Sequence, residues 1–231
     1  MRLHQSTRTA VAVSVVVLLT ACGGQGQEQG DDPNAESAAA LHEAQPMSVH
    51  DATLLSESSE SGTYSELVTV QYSEEVRAST ELDKPECLDA ANRWGDLESV
   101  RQAPASVAAY EWERGTMSHI LVELDEDAAA DALGTRPPET CAEYTATYED
   151  GSSSDYGVTD LELPSIGDES RAFAIQVTDD GGENHMHTVM YRNGGILGTT
   201  SIMGPGDPEE YERMLVDFSE AAVERQRQML D

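Results

Sequence analysis

His185 and His187 stand two apart, with Glu183 just before them. On a strand that spacing puts both imidazoles and the carboxylate on one face, which is how a zinc or copper site could begin. The third ligand would sit in the flexible turn after Gly181-Gly182, so we read the trio as an exposed, polar hairpin edge and expect no metal. Ser170 lies in Gly167-Asp168-Glu169-Ser170-Arg171. No G-x-S-x-G elbow surrounds it, so it reads as a loop residue and not a nucleophile. Asp168 or Glu169 would pin that loop through Arg171 or Arg192. Asp150, Ser152, Ser154 and Asp155 loosely follow a calcium loop but lack its order of acids and its closing glutamate. From these residues we expect no catalytic group and no cofactor.

Aromatic side chains are better suited to recognition, because they give a large contact area at low entropic cost. Tyr110 and Trp112 fall on one side of an alternating segment, as do Tyr144 and Tyr148 on another. These four are the candidate ligand-binding residues, and with Tyr156 they could border one groove. The competing reading puts the same rings in the core beneath a C-terminal helix. Exposure separates the two.

The three cysteines divide by position. Arg2 and Arg8 precede an apolar run from Thr9 to Leu19, too short to span a bilayer and followed by small residues, as in a secretory signal. The boundary Leu19-Thr20-Ala21-Cys22 has the form of a bacterial lipobox, in which the Cys22 sulfur takes a lipid and the chain is cut just before it. We therefore expect a signal peptide over 1–21. Cys22 would begin a lipidated, disordered tether over 22–51, and a folded domain would occupy 52–231. Gly23 to Pro46 has no aromatic residue and no Lys or Arg, and Leu41 is its only branched aliphatic, too little apolar surface to offset the entropy of ordering. Within it Ala35 to Glu43 could form a short helix. Cys87 and Cys141 remain as an even pair in an exported chain, so a disulfide is expected. Closing that loop of 54 residues stabilises the fold by about 4 kcal/mol at most.

Charge narrows the partners. The chain carries 13 Lys+Arg against 44 Asp+Glu, a formal net charge of −31, with Lys84 its one lysine. This excludes sequence-independent binding to nucleic acid and polybasic adsorption to anionic lipid. The expected partners are the cell membrane, through the lipid anchor on the extracytoplasmic side, and a small-molecule or envelope ligand.

The elements that would position these residues are mostly strands. Alternation predicts strands over 66–72, 106–114, 117–124, 144–148, 155–163, 171–177, 185–192 and 196–203. Asn193-Gly194 predicts a type I′ hairpin turn. Short helices are expected over 85–97, carrying Cys87, and over 126–133. A long helix is expected over 208–230, capped by an Asp207–Glu210 pair and burying Tyr211, Leu215, Phe218, Ala222 and Met229. Hairpin-linked strands with helices outside their run imply α+β, a mostly antiparallel twisted sheet packed on the C-terminal helix.

Several segments resemble actinobacterial cell-surface lipoproteins related to PknH-like extracellular sensor domains. They are Leu54-Leu55 with Ser61-Gly62-Thr63-Tyr64, Pro85-Glu86-Cys87, Glu139-Thr140-Cys141-Ala142-Glu143-Tyr144, Leu163-Pro164-Ser165-Ile166-Gly167-Asp168-Glu169-Ser170, Tyr191-Arg192-Asn193-Gly194 and the terminal amphipathic helix. The resemblance spans about 52–230. It implies an extracytoplasmic ligand sensor with a cleft on a twisted antiparallel sheet. The chain departs from the kinase-linked relatives in having no kinase domain, no membrane-spanning helix to carry a signal inward, and one cysteine pair where they often have two.

The function expected is thus a non-enzymatic, lipid-anchored, sensor-like or ligand-binding protein. The alternatives are a carrier or chaperone for an apolar envelope molecule and, less favoured, a hydrolase. The lining of the largest concave pocket distinguishes them: dry and apolar for a carrier, convergent titratable groups for an enzyme, a shallow aromatic-polar groove for a sensor.

Overall fold

The computed structural model describes residues 32–88, 93–204 and 206–230. The expected signal peptide and Cys22 lie outside the described residues. In chain order the elements are α1 (Ala35–Glu43), β1 (Ser48–Val49), β2 (Ala52–Leu54), β3 (Glu60–Thr63), α2 (Val68–Ala78), β4 (Glu81–Leu82), α3 (Glu98–Arg101), β5 (Pro104–Trp112), β6 (Gly115–Glu123), α4 (Glu126–Gly134), β7 (Glu143–Thr147), β8 (Ser153–Leu161), β9 (Glu169–Asp179), β10 (Gly182–Asn193), β11 (Ile196–Gly204) and α5 (Pro208–Leu230). The fold is α+β. One sheet runs β1-β2-β5-β6-β11-β10-β9-β8-β7-β4, with β3 also paired to β5. All of these pairings are antiparallel.

Strand alternation sorts the core onto two faces. On one, Tyr110 and Trp112 of β5, Met117 of β6, Val189 and Tyr191 of β10 and Ile202 of β11 pack with Tyr211, Leu215, Phe218 and Ala222 of α5. On the other, Val107, Val122, Leu197, Met190, Phe173 and Ile175 pack with Trp94, Val100, Ala132 and Leu133. The central strands are buried on both faces, so β5 shows a nearly unbroken run of buried positions. Toward the β7–β4 end both faces thin out, and β8 is largely exposed or half-buried.

Several expectations are corrected. Residues 66–72 belong to a short 3₁₀ turn and α2, not to a strand. The Glu60 carboxylate accepts the N–H groups of Val68 and Thr69 at 2.7 and 2.8 Å, satisfying donors that a helix start leaves open. Of the alternating trio Val68, Val70 and Tyr72, only Val70 is buried. The disordered tether does not extend to residue 51. In α1, Ala38 and Leu41 are buried, and Ala44 and Gln45 just beyond it are buried too. Asn34 donates to Thr63 Oγ1 and to the Gln102 carbonyl, both at 2.8 Å. Cys87 sits on a single 3₁₀ turn, Pro85–Cys87, with a separate turn at Arg93–Asp96, and 89–92 lie outside the described residues.

In α5, Asp207 Oδ1 accepts the Glu209 N–H at 3.0 Å, while Glu210 reaches Arg114 at 2.6 Å instead of closing a capping box. Met229 is 42% exposed; the last turn is held through Leu230 against Leu41 and Ala44. The β10–β11 turn is centred on Gly194-Gly195, because Asn193 pairs with Ile196. Positive φ occurs at Gly194 alone of the two, the pattern of a type II′ turn and not I′.

Candidate functional site

The four candidate aromatic residues divide between two places. Tyr110 and Trp112 are 1% and 5% exposed. Tyr110 meets Phe218 edge-on with ring centres 4.8 Å apart, and Trp112 lies against Tyr211 at 5.7 Å. Tyr144 and Tyr148 are half-buried at the other end of the sheet. Tyr144 stacks on Tyr156 at 4.9 Å with the planes 3° apart, and the Tyr148 and Tyr156 hydroxyls share a hydrogen bond of 2.7 Å. Burial raises the pKa of the Tyr156 hydroxyl, and the hydrogen bond to Tyr148 adds to the shift. One aromatic groove through all four rings is therefore corrected to two separate sets, since β5 and β7 are separated by β6, β11, β10, β9 and β8.

A concave groove of about 480 Å³ lies at the β7–β9 end. Asp83, Lys84, Glu143, Tyr144, Thr145, Asp155, Tyr156, Gly157, Gln176 and Thr178 border it. Pairing register explains its polarity. Thr145, Asp155 and Thr178 stand opposite one another on adjacent strands, as do Glu143, Gly157 and Gln176. Both rows lie on the same face of the sheet as α5, and Gly157 adds no side chain. Thr145 Oγ1 donates to Asp155 at 2.7 Å, and Gln176 Nε2 donates to Glu183 at 2.7 Å. Tyr144 and Tyr156 border the groove from within these strands, while by register their stacked rings lie toward the opposite face and stiffen the sheet behind it.

The rim is fixed covalently. Cys87 and Cys141 form a disulfide with Cα atoms 5.3 Å apart and are fully buried. It joins the Pro85–Cys87 turn to the Glu139–Ala142 turn, which lead into and out of the groove edge. Lys84 Nζ donates to the Thr140 carbonyl at 2.9 Å and to that of Glu143. The one lysine thus ties the two turns together beside the bridge.

The remaining candidates fall as follows. Asp168 accepts the Gly194 N–H at 2.7 Å and, with Glu169, faces Arg192 at 3.6 Å, so Arg192 and not Arg171 pins that loop. Ser170 Oγ accepts the Ile166 N–H at 3.0 Å. Asp150 spends its carboxylate on the Ser152 hydroxyl and N–H, which hold its pKa below the usual carboxylate range. His185 pairs with Glu183 at 2.8 Å. His187 is not on an exposed edge: it is 3% exposed beneath Tyr211, and burial lowers its pKa. Among the described residues no group of three or more His, Cys, Asp or Glu could hold a metal ion.

One constellation escaped the sequence reading. His119 is fully buried, and desolvation depresses its pKa to about 3, so the imidazole is neutral. Gln45 Nε2 lies near the carbonyls of Ser106 and His119, which orients Gln45 Oε1 toward His119 Nδ1 at 2.6 Å. Nδ1 therefore carries the proton, and Nε2 accepts from the Tyr191 hydroxyl at 2.8 Å. Tyr191 in turn accepts from Gln226 of α5 at 2.8 Å. The only available signal was a lone histidine between Met117 and Leu121 on the inward side of a strand. With Tyr110, Trp112, Tyr191, Tyr211 and Phe218 all buried, aromatic side chains fill the space between sheet and α5 where a carrier would need its cavity.

No family model and no curated protein matches the chain. Among solved structures, it is similar to the extracellular domain of PknH from Mycobacterium tuberculosis, with 8% identity and a TM-score of 0.45 over 63% of this chain and 78% of that one. It is also similar to an uncharacterized protein of Mycobacterium smegmatis, an Rv0999 ortholog, with 14% identity and a TM-score of 0.39 over 62% of this chain and 76% of that one.

Proposed function

We propose that this protein is a non-enzymatic, sensor-like or ligand-binding module on the extracytoplasmic side of the cell membrane, anchored there by lipid on Cys22. The observation that carries the reading is the open polar groove on β7–β9, with its rim braced by a buried disulfide. Two of its acids are engaged by one residue: Asp83 accepts the Thr145 N–H at 2.8 Å and Asp155 the Thr145 hydroxyl at 2.7 Å. Hydroxyl, amide and carboxylate groups in two aligned rows suit a small polar ligand or the polar part of an envelope molecule. The Cys87–Cys141 bridge supports an oxidising compartment. The basic start, apolar run and lipobox supply the address. Among the described residues no helix is long and apolar enough to cross a membrane, so on this reading the lipid is what holds the domain at the surface.

Two arms test the proposal. Wild-type protein should partition with membranes, carry metabolically incorporated palmitate and be cut by protease added outside the cell. Cys22→Ser should lack the lipid and be found in the medium or as uncut precursor. Palmitate-labelled, membrane-bound Cys22→Ser protein would refute the anchor. For the groove, Gln176→Trp should fill the cavity, leave the fold intact and abolish thermal stabilisation by an envelope extract.

A further inference from the structure

A second cavity, of about 290 Å³, lies away from the groove, where the β1–β2 turn, the β5–β6 hairpin and the start of α5 meet. His50 and Asp51 come from the first, Trp112 and Arg114 from the second. Glu210, Arg213, Met214 and Asp217 come from α5, where their i, i+3, i+4, i+7 spacing puts them on one face. We propose that this cavity binds a small zwitterion of the amino-acid class, its carboxylate on Arg213 and its ammonium on Asp51 and Asp217.

The charges point to a ligand of both signs. Each acid has one oxygen engaged: Asp51 accepts the Trp112 indole N–H at 2.9 Å, Asp217 meets His50 Nε2 at 2.9 Å, and Glu210 meets Arg114 at 2.6 Å. A carboxylate has about four acceptor sites, so each keeps capacity for a donor. Arg213 is the contrast. In a chain with 44 acids its guanidinium is exposed and makes no hydrogen bond or ion pair among the described residues. A simple anion would meet three carboxylates, and a simple cation would meet Arg114 and Arg213. A molecule carrying both charges satisfies the two sets at once.

Size and floor agree. Trp112 and Met214, each 5% exposed, give the cavity a firm apolar floor, and the Arg114 guanidinium sits 5.8 Å from the indole centre. The volume is just below the range of drug-sized ligand sites, which fits a molecule of amino-acid size. His50 is the one non-glycine residue with positive φ among the described residues, at 52°, and it sits on the rim with its ring turned to Asp217. Strained backbone of this kind is concentrated at ligand sites. The cavity is separate from the β7–β9 groove, so the inference stands whether or not the groove binds its own ligand.

Titration calorimetry on the full chain tests it, with glycine, L-alanine and L-leucine as probes and 4-methylpentanoate and 3-methylbutylamine as the two halves of leucine. At least one amino acid should bind saturably, and each half-probe should bind at least about tenfold more weakly, the loss expected for one charge-assisted contact. Arg213→Gln should weaken amino-acid binding by about tenfold or more without moving the melting temperature, since Arg213 holds nothing else in place. Gln176→Trp, in the groove, should leave it unchanged. No saturable binding of any of the three up to about 20 mM would overturn the proposal. So would half-probes as tight as leucine, an unaffected Arg213→Gln, or loss of binding in Gln176→Trp.

Discussion

The Tyr191 hydroxyl donates to His119 Nε2 at 2.8 Å inside the sheet–helix interface, and that bond joins the two ends of the folded chain. On one side His119 Nδ1–H reaches Gln45, just after α1. On the other, Tyr191 receives Gln226 from α5. A neutral histidine is favoured throughout, because a proton on Nε2 would face the Tyr191 hydroxyl proton in a fully buried site. The network explains how a segment poor in apolar side chains becomes part of the fold.

The pH dependence follows from His119. Its folded pKa of about 3 is below the ordinary value of 6.5, so the unfolded chain binds the extra proton first as pH falls. Stability from this group is complete above pH 6.5 and is lost progressively toward pH 3. Between pH 7 and pH 5 the loss should be about 2 kcal/mol. Urea unfolding at the two pH values should show that drop in wild type and a smaller one in His119→Gln. Equal drops in both would contradict the assignment.

Trp112→Ala should behave as a core truncation. With the indole packed on Tyr211 and its N–H tied to Asp51, the cost should be about 3–5 kcal/mol, read as a sharp fall in melting temperature. Tyr148→Phe should cost about 1 kcal/mol or less, because it removes one hydroxyl hydrogen bond at a half-buried ring.

Gly167→Ala should be severe for one residue. Gly167 has φ of 64°, and a Cβ there would run into the Arg192 carbonyl oxygen, in the loop that Asp168 and Arg192 hold together. Strain and displacement together should cost about 2 kcal/mol or more, measured by chemical denaturation.

Removing the bridge as Cys87→Ser with Cys141→Ser should cost up to about 4 kcal/mol. The first region to open should be the groove rim, because Lys84 and the two 3₁₀ turns lose their covalent tie. Hydrogen exchange in 81–88 and 139–147 should rise more than in β10 and β11. Uniform acceleration across the sheet would argue against a local role.

Much of the sheet was legible in the chain because 110–112 of β5 and 173–177 of β9 alternate, even though the central strands are buried on both faces, and α5 carries a long apolar stripe between firm boundaries. Residues 68–72 misled for the same reason: Val68, Val70 and Tyr72 alternate, but the Val68 and Thr69 N–H groups that open a helix there are satisfied by a distant glutamate, Glu60, and two of the three side chains face solvent. Residues 32–46 misled because composition counts aliphatic surface, whereas Asp32, Asn34 and Gln45 dock this segment through hydrogen bonds. The disulfide was readable from cysteine count and compartment. The groove was not, since Lys84, Thr145, Asp155 and Gln176 come from four segments that meet only through strand register.

The proposed ligand site is the β7–β9 face. Hydrogen exchange by mass spectrometry, on the protein with and without an extract of its own cell envelope, measures this most directly. Slower exchange confined to 81–84, 143–147, 153–161 and 174–179, and abolished in Gln176→Trp, is expected. Unchanged exchange in those segments, or protection that persists in Gln176→Trp, would contradict it.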